Sequence, residues 1–228
     1  MLNSHQALGC DSVFTPEQIL ENRGRVAIFI DGSNLFYAAL QLGIEIDYTK
    51  LLCGLTAGSR LFRAFFYTGV DRANEKQQGF LLWMRRNGYR VIAKDLVQLP
   101  DGSKKANLDV EIAVDMMALV DCYDTAVLVS GDGDLAYAVD AASYKGVRVE
   151  VVSLRAMTSD SLINVSDRYI DLDGIKDDIR KHVRGNQANS QASAQTSAQT
   201  HAQTHAQSNY TYRPLSGVSV LDEAEVHP

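Results

Sequence analysis

The sequence lacks the features that would place the chain in a membrane or outside the cell. It has no run of about 18 or more apolar residues, the length that a membrane-spanning helix needs. Its first residues, MLNSHQALGCDS, do not follow the basic-then-apolar order of a signal peptide. We therefore expect a cytoplasmic protein with no membrane segment.

Cysteine is scarce as well, with three residues, Cys10, Cys53 and Cys122. They lie far apart, and none belongs to a CxxC pair or has a histidine beside it, so neither a zinc site nor a disulfide framework is indicated. We expect three free thiols.

The motifs GxxxxGKS/T, GxSxG and HExxH are missing too, which leaves the sequence without a P-loop, a hydrolase nucleophile elbow or a zinc-protease helix.

An excess of positive charge is also missing, because the formal net charge is −6. The charge is uneven, however: residues 60–105 contain ten basic and four acidic residues. Phosphate attraction acts over a Debye length of about 8–10 Å, so a basic segment on an acidic protein can still attract a polyanion such as a nucleic acid. An ordinary solvated helix and strand surface fits the same segment.

Composition divides the chain into four parts. Residues 1–24 are polar and predict an arm, whereas residues 25–185 carry the alternating apolar patterns of one folded domain. Residues 186–208 repeat Ser/Thr/His-Ala-Gln with almost no charge, and we expect a disordered linker because such a tract cannot bury a core. Residues 209–228 are expected to be a tail peptide that contacts other proteins.

The central part alternates strands with helices, which predicts an α/β fold with a mostly parallel sheet and helices on both faces. The runs Val26–Ile30 and Thr125–Val129 are typical of strands buried on both sides. Each run ends abruptly in a polar turn that contains aspartate. Ligands bind at this edge of an open α/β sheet.

A helix is predicted over Val110–Val120. Four of its apolar residues lie within about 100° of one another, which predicts a stripe that faces the core: Val110, Ala113, Val114 and Met117. Glu111 and Asp115 lie on another side of this helix, and we expect them in solvent.

Four aspartates are candidates for a metal site. Asp31 ends the first strand, Asp132 and Asp134 follow the strand Thr125–Val129, and Asp109 lies at the start of the helix before that strand. Carboxylate oxygens are the ligands that Mg²⁺ prefers, and a divalent ion can support hydrolysis of a phosphodiester. The same aspartates could instead serve as turn residues, helix caps or partners of a helix dipole.

Four further side chains are candidates for substrate binding. Asn34 follows Asp31 by three residues and can orient a water or a phosphate oxygen, and Ser130 precedes the acidic turn. Lys104 and Lys105 lie close to Asp109 in sequence, where they can hold a substrate phosphate.

A dinucleotide-binding loop is a rival interpretation of the acidic turn. Residues 131–136 fit G-x-G-x-x-A, and Glu150 follows 19 residues after Gly131. Charge argues against this interpretation, because Asp132 and Asp134 would repel the pyrophosphate that such a loop binds. An aspartyl phosphatase would carry a second acid two residues after Asp31, where this chain has Ser33.

Three motifs together resemble the NYN domains, the LabA-like branch of the PIN-like nucleases. They are IDGSNL at Ile30–Leu35, KKANLDVEIAVD at Lys104–Asp115 and SGDGDL at Ser130–Leu135. The similarity covers roughly residues 25–183. It implies a three-layer PIN-like fold in which Asp31, Asp109, Asp132 and Asp134 bind Mg²⁺ or Mn²⁺ and cleave RNA, with single-stranded RNA as the expected partner.

The resemblance also implies a second hypothesis, since the family includes regulators of gene expression, one of them in the output of a bacterial circadian clock. The same fold would then act as a non-hydrolytic binding module, with the tails as interaction segments. A second copy of the chain is a further candidate partner.

Overall fold

The computed structural model describes residues 22–98 and 104–181, and the side chains of Lys104 and Lys105 are outside that description. The predicted linker, the tail and all but the end of the predicted arm fall outside the described residues. The strands are β1 Arg25–Asp31, β2 Arg60–Val70, β3 Tyr89–Asp95, β4 Val97–Gln98, β5 Lys104–Lys105, β6 Thr125–Val129, β7 Arg148–Ser153 and β8 Arg168–Asp171. The helices are α1 Gly32–Leu42, α2 Tyr48–Thr56, α3 Glu75–Arg86, α4 Asp109–Ala118, α5 Ala136–Tyr144, α6 Asp160–Val165 and α7 Leu172–Ile179. Three short 3₁₀ segments are Val120–Cys122, Gly133–Leu135 and Arg155–Met157.

Six strands form one sheet in the order β3-β2-β1-β6-β7-β8, and every neighbouring pair is parallel. The chain builds outward from β1 in one direction through β2 and β3, and then returns to β6 on the other side of β1. The predicted α/β fold is thereby confirmed. This order creates a topological switch point between β1 and β6, and ligands of open α/β sheets bind outside the carboxyl ends of the strands at such a point.

The core consists of two apolar layers, one on each face of the sheet. Helices α1, α2, α3 and α7 pack on one face, and α4, α5 and α6 pack on the other. Successive residues of β1 alternate between the layers: Ile28 and Ile30 contact the first, and Ala27 and Phe29 the second. All residues of β6 are buried, which explains its continuous apolar run.

Helix α4 is rotated relative to the orientation predicted from its apolar stripe. Ile112 and Met116 are buried in the core, and Ala113 and Met117 pack partly buried against it. Val110 is 69% and Val114 is 58% exposed, so the predicted inward stripe is wrong for these two valines. The pattern Leu108, Ile112, Met116 repeats every four residues and supplies the true apolar face.

Two further sequence expectations concern cysteine and the membrane. Cys122 is a free thiol as predicted, but Cys53 is disulfide-bonded, which corrects the expectation for that residue. The spacing of cysteines along a chain does not reveal which of them the fold brings together. Within the described ranges, none of the helices has the length and apolar character needed to cross a bilayer.

Candidate metal centre

Asp31 lies at the end of β1 and caps helix α1. Its Oδ1 accepts hydrogen bonds from the backbone N–H groups of Ser33 and Asn34 at 3.0 and 3.1 Å, and from the Ser33 hydroxyl at 2.7 Å. This is the N-cap arrangement that stabilises the start of a helix. Oδ2 remains on the other side of the carboxylate and accepts a hydrogen bond from the Ser130 hydroxyl at 3.3 Å.

Ser130 and Asn34 fasten the loop after β6 to its neighbours. The Ser130 hydroxyl also accepts a hydrogen bond from the backbone N–H of Asp132 at 3.2 Å. Ser130 is fully buried, so its hydroxyl contacts the loop and Asp31 rather than solvent. The Asn34 carbonyl oxygen accepts the N–H of Gly131 at 3.1 Å and the Ser153 hydroxyl at 3.3 Å. Both side chains therefore fix the position of the acidic turn.

The two glycines of this turn are needed for close packing. A Cβ added to Gly131 would lie 2.3 Å from the carbonyl oxygen of Met157, and one added to Gly133 would lie 2.8 Å from the Ser159 hydroxyl. Neither glycine has a positive φ. The glycine spacing that resembled a dinucleotide loop is thus explained by contact with the segment after β7, without a bound nucleotide.

Three of the four predicted aspartates meet at the carboxyl edge of the sheet. Asp109, Asp132 and Asp134 each offer a carboxylate oxygen, and these atoms lie within 4.8 Å of one another. The Asp132 carboxylate is oriented by the N–H of Asp134, which it accepts at 3.0 Å. Asp31 is not in this group of three, but it is linked to the acidic turn through Ser130.

Asp109 has an altered affinity for protons. Partial burial, followed by the negative charge of Asp132, raises the pKa of Asp109 to about 6. Asp31 and Asp134 add to the rise, whereas a hydrogen bond from the Asn107 side chain opposes it. The influence of Asp31 on this pKa places its charge near the group of three.

The donor set fits a hard divalent cation. Close carboxylates repel one another unless a cation or a proton lies between them. Among the described side chains, no lysine or arginine forms an ion pair with any of the four aspartates. An oxygen-only set of carboxylates is what Mg²⁺ and Mn²⁺ bind.

Two contacts that the sequence did not predict hold α4 against the sheet. The buried Tyr67 hydroxyl donates to Asp115 Oδ2 at 2.9 Å, and Lys94 Nζ contacts Glu111 Oε1 at 2.8 Å and the Asn107 carbonyl oxygen at 3.0 Å. Burial and Asp115 raise the pKa of Tyr67, so its hydroxyl keeps the proton that it donates. The expectation that Glu111 and Asp115 are simply solvated is therefore wrong. Apolar periodicity carries no signal for such polar partners on other strands.

Among the described side chains of the basic segment 60–105, some lie far from the acidic edge and others are paired with acids. Arg60 lies at the amino end of β2, where the backbone of this strand aligns with Arg25 of β1. Tyr67, which is aligned with Asp31, follows seven residues later on the same strand. At about 3.3 Å per residue this is about 23 Å from the acidic edge. Closer to that edge, Arg72 forms an ion pair with Asp95.

Comparison with known proteins agrees with the geometry. The family model of the NYN domain matches residues 25–173. The Low amplitude and bright protein LabA of Synechococcus elongatus is 39% identical over 165 residues, which cover 69% of this chain and 88% of LabA. A crystal structure of VPA0982, a protein of unknown function from Vibrio parahaemolyticus, matches with a TM-score of 0.62 and 27% identity, covering 71% of this chain and 98% of that one. The PIN-like fold and the acidic motifs on β1, α4 and β6 thus have one explanation: the chain belongs to the NYN domain family, in its LabA-like branch.

Proposed function

We propose that the chain is a Mg²⁺- or Mn²⁺-dependent ribonuclease that hydrolyses phosphodiester bonds of single-stranded RNA. The observation that carries this proposal is the meeting of Asp109, Asp132 and Asp134 within 4.8 Å at the switch point of the sheet, without a basic partner among the described side chains. These three residues are proposed as the main metal ligands. Asp31 is proposed as the fourth acid, acting through Oδ2, because its Oδ1 caps α1.

When bound, the divalent ion would supply positive charge against the phosphate oxygens and lower the pKa of a water molecule. The residues of the chain have separate tasks around it. Asp132 is held by the N–H of Asp134 and by the turn that Ser130 fixes, so it presents its carboxylate with little rearrangement. In the chain without metal, burial and the charge of Asp132 raise the pKa of Asp109 to about 6, so binding of the ion below that pH is expected to displace a proton from this carboxyl.

The remaining site residues divide into positioning and substrate contact. We assign Ser130 to positioning, because it is fully buried. Asn34 positions the turn through its carbonyl oxygen and is proposed to offer its NH₂ group to a phosphate oxygen. Lys104 and Lys105 form β5, three residues before α4 begins, and we propose that their ammonium groups hold RNA phosphates.

The test compares two aspartate variants on labelled single-stranded RNA with Mn²⁺. Asp132→Asn removes one carboxylate from the centre and is expected to lower the cleavage rate by more than about 100-fold, as is EDTA. The control, Asp121→Asn, changes an exposed aspartate just before β6, at the opposite edge of the sheet, and should cleave like the unchanged chain. Equal cleavage by the Asp132 and Asp121 variants would contradict the proposal.

A non-hydrolytic regulator of gene expression is the second candidate, for example in the output of a circadian clock. It is favoured by the similarity to LabA and by the use of Asp31 Oδ1 as a helix cap rather than as a free ligand atom. This candidate predicts that the unchanged chain binds RNA or Mn²⁺ but does not shorten the RNA. Protein partners bound through the terminal segments, a homodimer and a cytoplasmic location remain proposals under either function.

A further inference from the structure

Among the described residues, Tyr137 is the most exposed aromatic side chain close in sequence to the acidic centre. It is 84% exposed and follows Asp134 by three residues, at the point where the 3₁₀ segment Gly133–Leu135 continues into α5. Residues three apart on a helix are neighbours on one face, with Cβ atoms about 5–6 Å apart. The ring has no aromatic partner among the described residues. It therefore offers a bare apolar face one turn from a proposed metal ligand.

The charge around the centre makes such a surface useful to an RNA ligand. Four carboxylates lie at this edge of the sheet. Three nearby basic residues are each neutralised by an acid, in the pairs Arg72–Asp95, Lys94–Glu111 and Arg155–Asp160. The described side chains therefore give a polyanion little net attraction here. Stacking of a base on an aromatic ring is attractive without any charge on the protein, and it contributes about 1–3 kcal/mol per base.

We propose that Tyr137 stacks against a base of single-stranded RNA, next to the phosphate that lies in the acidic centre. This inference rests on the proposed function, since it assumes that RNA is the ligand of that centre. The bases of a duplex are already stacked inside the helix, so Tyr137 would select unpaired RNA. Every base has a π face, so the contact would hold the strand without reading its sequence.

The chain contains a matched control for this tyrosine. Tyr144 lies on the same helix, seven residues later and on the same side, and is 85% exposed. It is about 10 Å further from the centre along the helix axis. A short RNA of a few nucleotides bound across the acidic centre would reach Tyr137 and not Tyr144.

The test measures KM and kcat for cleavage of a short single-stranded RNA by the full chain with Mn²⁺. Tyr137→Ala should raise KM between about 5- and 150-fold and change kcat little, because stacking is made equally in the ground state and the transition state. Tyr137→Trp should keep the KM of the unchanged chain, and Tyr144→Ala should do so as well. A KM of Tyr137→Ala equal to that of Tyr144→Ala would overturn the inference.

RNA oligonucleotides with a single abasic position add an independent readout. One such position should weaken binding to the unchanged chain in a fluorescence anisotropy titration and should have no further effect on Tyr137→Ala. If every abasic position weakens both proteins equally, Tyr137 does not contact a base. An unchanged KM in Tyr137→Ala together with loss of cleavage in Asp132→Asn would reject the stacking and keep the ribonuclease. Base-dependent binding without cleavage would support the stacking and reject the ribonuclease.

Discussion

The protonation of Asp109 responds to pH near 6, above the usual range of an aspartate. This residue is half-buried beside Asp132, and both influences favour its neutral form. In the chain without metal, a proton on Asp109 therefore relieves part of the repulsion among the carboxylates. A divalent ion would relieve the same repulsion, so protons and metal compete for this group of side chains.

The raised pKa of Asp109 predicts a stability change with pH. The unfolded residue titrates near 4 and the folded one near 6, so the native state holds more protons between these values and loses stability as pH rises through them. The cost is absent below about pH 4 and complete above about pH 6. Asp109→Asn removes it, and we expect the variant to unfold in EDTA with about 1–2 kcal/mol more free energy than the unchanged chain at pH 8, a figure reduced for the partial exposure of the carboxylate.

Urea unfolding in EDTA at pH 4 and pH 8 measures this difference. The two proteins should be equally stable at pH 4, and Asp121→Asn should show no gain at either pH. A stability difference that is the same at both pH values would contradict the repulsion argument.

At the scale of secondary structure, the sequence predicts the strands well, but it predicts poorly which side of helix α4 faces the core. β1 and β6 are continuous apolar runs that stop at Asp31 and before Asp132, so both their burial and the edge where their acids meet follow from sequence order. Helix α4 carries apolar residues on more than one side. The sequence alone therefore does not show whether Val110 and Val114 or Ile112 and Met116 face the core. Asp109 lies about 20° from Met116 around the helix axis. The rotation of α4 that buries Met116 therefore also turns Asp109 towards the acidic centre.

The contacts that hold α4 could not be predicted, because they join residues far apart in the chain. Tyr67 reaches Asp115 across 48 positions and Lys94 reaches Glu111 across 17. A single sequence shows that these side chains can form hydrogen bonds, but the partner is decided by the packing of the helix on the sheet. The same holds for Ser130, whose place between Asp31 and the Asp132 N–H follows from the pairing of β1 with β6.

Loss of the Tyr67 hydroxyl should loosen α4 and thereby weaken metal binding. Tyr67→Phe removes the hydrogen bond to Asp115 and is expected to lower the free energy of unfolding by about 1–2 kcal/mol. Because α4 carries Asp109, we also expect Mn²⁺ affinity to fall by up to about 10-fold, measured by isothermal titration calorimetry.

Tyr89→Phe is the matched control for this prediction. Tyr89 is also buried, and its hydroxyl donates to the Tyr48 carbonyl oxygen at 2.7 Å on the other face of the sheet. This variant should lose stability without losing Mn²⁺ affinity. If both variants bind Mn²⁺ equally well, the hydrogen bond to Asp115 has no part in positioning Asp109.

At the scale of the whole domain, a buried ion pair joins Arg23, two residues before β1, to strand β7. Composition assigns Arg23 to the arm, but its guanidinium is buried and pairs with Glu150 of β7 at 2.9 Å. It also donates to the carbonyl oxygens of Leu55 and Thr56 at the end of α2. The folded domain therefore includes residues that precede the first strand.

Removing one partner of this pair should destabilise the whole domain. Arg23→Met leaves the Glu150 carboxylate buried with Arg148 Nε at 3.0 Å, so we expect a loss of about 2–4 kcal/mol, somewhat less than the 3–5 kcal/mol typical of an uncompensated buried charge. For a domain of this size the melting temperature should fall by about 5–15 °C. Arg25→Met, two residues later, disrupts the exposed pair with Asp124 and should leave the melting temperature almost unchanged.

The double variant Arg23→Met with Glu150→Met distinguishes a buried, incompletely neutralised charge from a simple loss of packing. An apolar pair of similar volume can replace a buried ion pair at little cost, so the double variant should recover most of the melting temperature that Arg23→Met loses. Further destabilisation in the double variant would show that Glu150 has a role independent of Arg23. Differential scanning calorimetry under reducing conditions compares the unchanged chain, Arg23→Met, Arg25→Met and the double variant. Full recovery of the melting temperature in the double variant would mean that Arg23 anchors the start of the domain only by neutralising Glu150.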